Sequence, residues 1–599
     1  MAEYKPASES DLPEPIDLTH HISRSTKARE ASSVKQFYKY FAIPGIGQLA
    51  GGLPNANYFP YDTLEAKAAL PNRWKPTPNN PVDPPTPALA SATLDESLPS
   101  TRVVVPHASA NADPLHKIDL TTALQYGTAQ GYPSLSYFVR QFTRENLHPS
   151  IPYKGGAEII LTCGSTDGFG KAIQALSNEW SEGHDSIDER PGLLVEEYCY
   201  MNAIQAAQPR GLNIVPVAID DEGMTASGKG GLQEVLENWD TSKGRRPHLI
   251  YTVTIGQNPT SGTLSVQRRK EIYALCVKYD IIIIEDDPYW YLQYPSSNPS
   301  APKAPVKKSS GYDFLDSLIP SYLSVDYEGR VVRLDTFSKT IAPGCRLGWI
   351  TAQPALVERI LRITETSTQQ PSGFVQSMIA ELIMGPQSRS DGGRGGAADG
   401  SGWKVDGWVR WLEGLRGEYE RRMNIMCDIL DAGKHVVKAG RRNSLNTVTS
   451  HDEDEWAVIE ATKIYDFVRP LGGMFVWIRF DFHTHPLRKS VPLPRLAQAL
   501  WVFWTKKPFL VLASPGTIFA PTEEIKERDA WEYYRVCFAA CERDELEDIS
   551  KRLVDGAQAF WKIKKKEKID ELLEEIEPTA EEKGIAGGDA GLALLTGFC

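Results

Sequence analysis

From about Asp119 onward, short apolar runs alternate with segments of helical spacing, and each apolar run ends in a cluster of polar residues. EIILTCGSTDGFGKAIQAL reads as strand, glycine-rich turn and helix. LLVEEYCY, NIVPVAID and PHLIYTVTIGQNPTSG are short apolar runs closed by polar groups, and RRKEIYALCVKYD has helical spacing. IIIIEDDPYWYL is an apolar strand breaking into charge, and VVRLDTFSKTIAPGCRLGWI gives two strands around a polar loop. Strands alternating with helices form a mostly parallel sheet covered on both faces, which leaves them apolar throughout. Ligands of such sheets bind at the carboxyl ends of the strands, where these polar clusters fall. The pattern predicts an α/β fold.

The 599 residues are enough for several domains and a large core. Residues 1–16 read as a disordered N-terminus and 17–60 as an N-terminal arm with part of a smaller domain, including a helical run at SSVKQFYKYF. Residues 61–115 read as an irregular, Pro-rich insertion. The large domain spans 116–383. A Gly-rich insertion covers 384–404, the C-terminal part of the smaller domain 405–562, and a charged tail 563–599. Within the C-terminal part, WVRWLEGLRGEYERRMNIMCDIL is a long amphipathic helix, PLGGMFVWIRF and YYRVCFAAC are strands, and 439–458 is a polar insertion. No internal repeat is visible.

The net charge of −12 leaves no basic footprint for nucleic acid. Eight scattered cysteines without C-x-x-C predict a reduced, cytoplasmic setting with neither zinc site nor disulfide framework. The acidic start predicts no targeting presequence, and no apolar run is long enough to span a membrane.

Five motifs carry chemistry. Ser338-Lys339 in TFSKTIAPGCRLGW places a lysine in a small-residue loop after a strand, with Arg346 seven residues on. A partly desolvated, cation-flanked lysine has the lowered pKa needed to condense with an aldehyde, although a solvated loop lysine would give the same residues. GSTDGFGKA offers free N–H groups at a helix start, with Ser165 and Thr166 hydroxyls, for a phosphate or for plain capping. It lacks the ending of a nucleoside-triphosphate loop. Asp286 ends an apolar strand and asks for a cation such as a protonated pyridine nitrogen; it is preferred over Asp287 because Tyr289 then lies three residues on. Asn258 in GQNPTSG precedes it by 28 residues and alone reads as a turn. Arg535, inside an apolar strand, suits either a substrate carboxylate or a structural ion pair.

Taken together these motifs resemble the fold-type-I pyridoxal-phosphate (PLP) aminotransferases, class I/II. The likeness runs from about Lys27 to Lys562, with AGGLPNANYFP, LQYGTAQGYPSLSYFVR, GSTDGFG, QNPTSG with EDDPYWYL, TFSKTIAPGCRLGW and RVCFAA in the family's order. Within the family the start, the EDDPYW turn and the GGMFVW strand point to fungal aromatic aminotransferase I and the kynurenine/2-aminoadipate aminotransferases. The resemblance implies a large, mostly parallel sheet domain with a smaller α+β domain, and a homodimer with the active site at the subunit interface. It also implies residue roles. Lys339 would bind the cofactor and shuttle a proton. Asp286 would pair with the pyridine nitrogen, Asn258 and Tyr289 with the ring's phenolic oxygen, and Tyr200 would stack on the ring. Ser165, Thr166, Ser338 and Arg346 would hold the phosphate, with Tyr126 reaching it from the neighbouring subunit. Arg535 would fork onto the substrate α-carboxylate, Gly52 would admit its backbone, and Lys35 would lie on a mobile arm over the site. The implied activity is transamination between an aromatic, 2-aminoadipate-like or kynurenine-like amino acid and an oxo acid such as 2-oxoglutarate. PLP decarboxylase or lyase chemistry and a non-catalytic regulator remain alternatives, although such regulators need about seventy basic residues ahead of the arm, and residues 1–20 here are acidic and short.

Two patterns mislead. GIGQLAGG (45–52) imitates a dinucleotide loop, but prolines flank it and no strand precedes it. His483 and His485 read as a solvated pair and not as a metal site.

Overall fold

A computed structural model describes residues 12–32, 40, 43–47, 49, 52–76, 99–295, 308–384, 402–439 and 459–574. The chain sorts into two compact units, Met1–Arg421 with Pro470–Met474, and Arg422–Arg469 with Phe475–Cys599.

The first unit opens with a hairpin, β1 (Thr63–Ala69) against β2 (Ser100–Pro106). Its centre is a sheet of β3 (Glu158–Thr162), β4 (Gly192–Glu196), β5 (Asn213–Val217), β8 (Leu249–Thr252), β9 (Ile282–Asp286), β10 (Val331–Thr336) and β11 (Gly348–Ala352), with a small ribbon of β6 (Ile219–Asp220) and β7 (Gly223–Met224) beside it. The spatial order is β3-β11-β10-β9-β8-β4-β5. Only β11 runs against the rest, so the predicted mostly parallel sheet is present. Ile281 to Ile284 are fully buried, as a strand covered on both faces requires. Helix Ser165–Leu176 follows β3 and lies so close to the sheet that a Cβ on Gly168 would sit 3.3 Å from Leu334.

Two expectations need correction. Residues 61–115 contain the β1·β2 hairpin where an irregular insertion was expected. In β2 the alternation that drives a strand is real, since Val103 and Val105 enter a core shared with Leu120 and Trp349. The prolines that obscured it lie mostly within 76–99, and 77–98 fall outside the described residues. The described part of 17–60 clusters with the first unit and not with a smaller domain. There Leu18 and Ile22 are buried, and Ser23 N–H and Oγ donate to the carbonyls of Ala175 and Gln174 at the end of the helix after β3. The expected helical run at SSVKQFYKYF lies almost wholly outside the described residues.

The second unit holds the hairpin β12 (His435–Ala439) with β13 (Ile459–Lys463), and a sheet of β14 (Tyr465–Phe467), β15 (Phe475–Phe480), β16 (Ser514–Pro515) and β17 (Tyr533–Cys537) in the order β14-β15-β17-β16. Helices Leu493–Thr505 and Arg543–Phe560 belong to it, and the expected long helix, Lys404–Ala432, begins in the first unit and ends in the second. The start of the charged tail forms a helix, Lys566–Glu574. The Gly-rich and polar insertions lie almost entirely outside the described residues. No described helix is long and apolar enough to cross a membrane.

Candidate active site

Three parallel strands of the first unit, β9 beside β10 and β3 across β11 from β10, deliver polar groups to one edge. Asp286 closes β9, Lys339 follows β10 by three residues, and Gly164 follows β3 by two. Registers Leu334↔Asp286, Thr336↔Gly348 and Gly348↔Thr162 bring these ends level, although the residues are up to 175 positions apart.

The period-two geometry of β9 separates its three consecutive acids. Glu285 and Asp287 share a face with Arg333 and Asp335 of β10, and all four are fully or almost fully buried. Arg333 pairs with Glu285 and Asp287 at 3.1 Å each and with Asp335 at 3.0 Å, and Arg269 reaches Glu285 at 3.1 Å. Asp287 also accepts Thr254 N–H at 2.8 Å and its hydroxyl at 2.6 Å. That face is an interlocked ion cluster with its lone pairs in use. Asp286 is on the other face. Its Oδ2 accepts the Tyr251 hydroxyl at 2.9 Å, while its Oδ1 is buried without a hydrogen-bond partner among the described residues. Burial pushes the Asp286 carboxyl up to about 7; Tyr251 and Ser165 oppose this, and the charges of Asp287 and Asp335 add to it. A buried carboxylate with one unused oxygen calls for a cationic N–H donor.

The second feature is a cradle. Gly164 has φ +91°, and a Cβ there would meet Arg346 Nη2 at 2.6 Å. Arg346, itself in the left-handed region at φ 45°, reaches back from the β10–β11 connection to donate to the Cys163 carbonyl at 3.1 Å. Glycine is favoured there because φ +91° is a backbone conformation that L side chains rarely adopt, and its bare Cα leaves room for the guanidinium. The result is a helix start, Ser165–Leu176, with its free N–H groups beside an exposed arginine. Such a pairing suits an anion of phosphate type. Ser338 lies at the same edge, held by Thr336 at 2.9 Å. An unused carboxylate oxygen for a ring N–H and a phosphate cradle, both at one sheet edge, fit pyridoxal phosphate.

The remaining predicted residues divide. Asn258 and Tyr289 are buried and Lys339 is half-buried. The loop carrying Asn258 is fixed by Gln257, whose Nε2 donates to Glu196 at 2.8 Å and to the Tyr198 carbonyl at 2.7 Å. Tyr200 caps the short helix Met201–Ala207 and its hydroxyl accepts Asn202 Nδ2 at 2.6 Å. Thr166 and Tyr126 are exposed, Tyr126 by 59%. Gly52 is exposed and a Cβ there would meet nothing within 4 Å, so no close approach demands glycine at that position. Lys35 lies outside the described residues. Arg535 belongs to the second unit. On β17 its guanidinium is sandwiched between Phe475 at 4.2 Å and Phe519 at 4.7 Å, with Nη2 3.3 Å from Ser514 Oγ.

Three contributors escaped sequence reasoning. Tyr251 had a detectable signal, because a tyrosine in an otherwise apolar central strand must find a partner for its hydroxyl. The Arg333 cluster was legible only as charge inside an apolar strand. The third is a backbone crossing, in which a Cβ on Gly256 would lie 2.4 Å from Gly473, next to the Asn258 loop. Nothing local in GQNP or LGGMF announces that they touch.

The comparisons agree with this geometry. Residues 95–439 match the family model for aminotransferase class I and II. An aromatic amino acid aminotransferase of Schizosaccharomyces pombe is 36% identical over 472 residues, covering 78% of this chain and 83% of that protein. An L-tyrosine:2-oxoglutarate aminotransferase of Tapinella panuoides is 32% identical over 488 residues, covering 80% and 78%. The crystal structure of the aminotransferase Aro8 from Candida albicans superposes with a TM-score of 0.69 at 30% identity, covering 92% of this chain and all of that one. Enzymes of this fold work with pyridoxal phosphate on amino acids and 2-oxo acids. The chain belongs to the aminotransferase class I and II family, and it is a transaminase.

Proposed function

We propose that the protein moves the amino group of an aromatic amino acid (tyrosine, phenylalanine or tryptophan) to a 2-oxo acid such as 2-oxoglutarate, with pyridoxal phosphate as resident cofactor. The observation that carries this is the unused Oδ1 of Asp286 at the same sheet edge as the Gly164–Arg346 cradle. The names of the Schizosaccharomyces and Tapinella relatives favour aromatic donors over 2-aminoadipate or kynurenine.

When bound, the cofactor supplies an electron sink for the electrons released at the substrate's α-carbon. The protein's own groups do the rest. Lys339 Nζ would hold the cofactor and would carry the proton that leaves the substrate's α-carbon. Asp286 Oδ1 would accept the ring N–H, and Asn258 with Tyr289 would donate to the ring oxygen. Tyr200 would cover the ring face. Ser165, Thr166, Ser338 and Arg346 would bind the phosphate. Arg535 receives the α-carboxylate in a fork that the flanking Phe475 and Phe519 keep in one plane. Lys35 and Gly52 belong to the substrate side. The first amino acid leaves as its oxo acid before the second oxo acid enters, so one site serves both halves of a ping-pong cycle.

The protein acts as a homodimer in the cytoplasm, with Tyr126 of each subunit serving the neighbouring site. The exposure of Tyr126, of Leu49 at 98% and of Tyr58 at 83% supports a contact surface, and the cysteines among the described residues, all free, suit a reducing compartment. The test is the absorption spectrum of purified protein with single amino acids and no acceptor. Tyrosine or phenylalanine should convert the cofactor band, and 2-oxoglutarate should restore it. The reading fails if no cofactor band is present, or if Lys339→Ala leaves the band and its conversion unchanged.

A further inference from the structure

The registers of β8 and β9 pair Tyr251 with Ile284, so Tyr251 shares its face with Ile284 and, one pleat further, Asp286. Both side chains are buried, and the phenol is locked edge-on against Phe169 at a centroid distance of 4.9 Å. Its hydroxyl lies 2.9 Å from Asp286 Oδ2. Tyr251 is far too hard to ionise in this setting to do anything but donate. Asp286 thus has one oxygen committed to a rigid donor and the other unused.

We propose that Tyr251 is a positioning residue that fixes the Asp286 carboxylate, aims Oδ1 at the cofactor's ring nitrogen, and keeps the shared proton on the ring by making Asp286 the weaker base. This rests on the reading of Asp286 as the ring-nitrogen partner. A carboxylate relieved by a donor holds a proton less strongly than one without. Asp286 needs that relief. It is buried, Asp287 next to it in the chain and Asp335 on β10 add negative charge, and Tyr251 from β8 and Ser165 from the helix after β3 offset them. Cys199 and Tyr200, after β4, also act electrostatically on Tyr251, and both are neutral when protonated. Without the phenol, Asp286 would compete with the ring for the proton and lose its fixed rotamer.

The experiment is a double-mutant cycle between Tyr251→Phe and Asp286→Asn, read first as cofactor affinity of the cofactor-free protein. Tyr251→Phe removes one oxygen and keeps the ring against Phe169, and the melting temperature reports that the protein is folded. Loss of a hydrogen bond to a charged group should weaken cofactor binding about 10- to 100-fold. In the Asp286→Asn background the same change should alter affinity by less than about threefold. A second readout is the cofactor-free protein's fall in stability with pH, which in Tyr251→Phe should start at the same pH but continue to higher pH before levelling off. In the loaded enzyme, kcat should fall with KM nearly unchanged. Equal affinity of wild type and Tyr251→Phe overturns the proposal. So does an equal loss in both backgrounds, which would make Tyr251 packing only. If Asp286→Asn by itself binds cofactor as wild type does, the reading of Asp286 falls, and the proposal with it.

Discussion

Asp286→Asn in the cofactor-free protein gives a stability change whose sign and size follow from one carboxyl group. Burial lifts that group from 3.8 to about 7. Below about pH 4 the carboxyl is protonated in folded and unfolded chains alike, and it contributes nothing. Between about 4 and 7 the unfolded chain has released the proton and the folded protein has not, so the folded state binds more protons and stability falls as pH rises. Across that interval, at about 1.4 kcal/mol per pH unit, the loss is at most about 4 kcal/mol. Asparagine does not titrate, so the difference between variant and wild type should grow from pH 5 to pH 8 in the variant's favour. Glu196, pushed up to about 8, also titrates in this region but is common to both proteins and cancels in the difference; Asp335, pushed up to about 6, is coupled to Asp286 and cancels only in part. The assay is the first melting transition of cofactor-free wild type and variant at half-unit steps of pH, supported by urea midpoints. With cofactor added the order should reverse, because only the carboxylate can pair with the ring. Parallel curves from pH 5 to 8 would refute the reasoning, since Asp286 would then be ionised in the folded protein without penalty.

Other outcomes follow from single contacts. Gly164→Ala should weaken phosphate-dependent cofactor binding at least tenfold and cost about 1–3 kcal/mol, through a positive φ and a Cβ driven into Arg346; isothermal titration with cofactor and melting curves measure both. Arg333→Leu leaves Glu285, Asp287 and Asp335 buried without their shared cation and should cost about 3–5 kcal/mol, partly recovered at acidic pH, where burial already favours protonated Asp335; soluble yield and melting at pH 6 and pH 8 read this. Gly473→Ala should destabilise by about 2 kcal/mol or more and lower kcat through the displaced Asn258 loop, because Gly473 sits at φ +83° against the backbone of Gly256; melting and steady-state kinetics together separate the two effects.

Local pattern carried most of the fold. Four isoleucines bounded by a helix and three consecutive acids read as a strand buried on both faces, and that placed Asp286 at a carboxyl end. The order of six short motifs was enough to indicate the family, because each is a contiguous stretch of chain that can be read without knowing its neighbours in space. Hairpin β1·β2 was lost because its strands lie 30 residues apart and prolines crowd the connection. The allotment of 17–60 was missed because attachment to the helix after β3 depends on Ser23 meeting the carbonyls of Gln174 and Ala175, about 150 positions away.

What the sequence determined by itself was which chemistry the chain can hold: a lysine after a strand, a glycine turn for phosphate, an acid at a strand end and an arginine in an apolar strand. What only the tertiary structure decided was which atoms of those residues are available. Asp286 and Asp287 are neighbours of identical chemistry. Pleating sends one to Thr254 and Arg333 and leaves the other beside Tyr251 with an unused oxygen. Availability is a property of three-dimensional neighbours, and those neighbours come from β8 and β10, which register alone brings alongside β9.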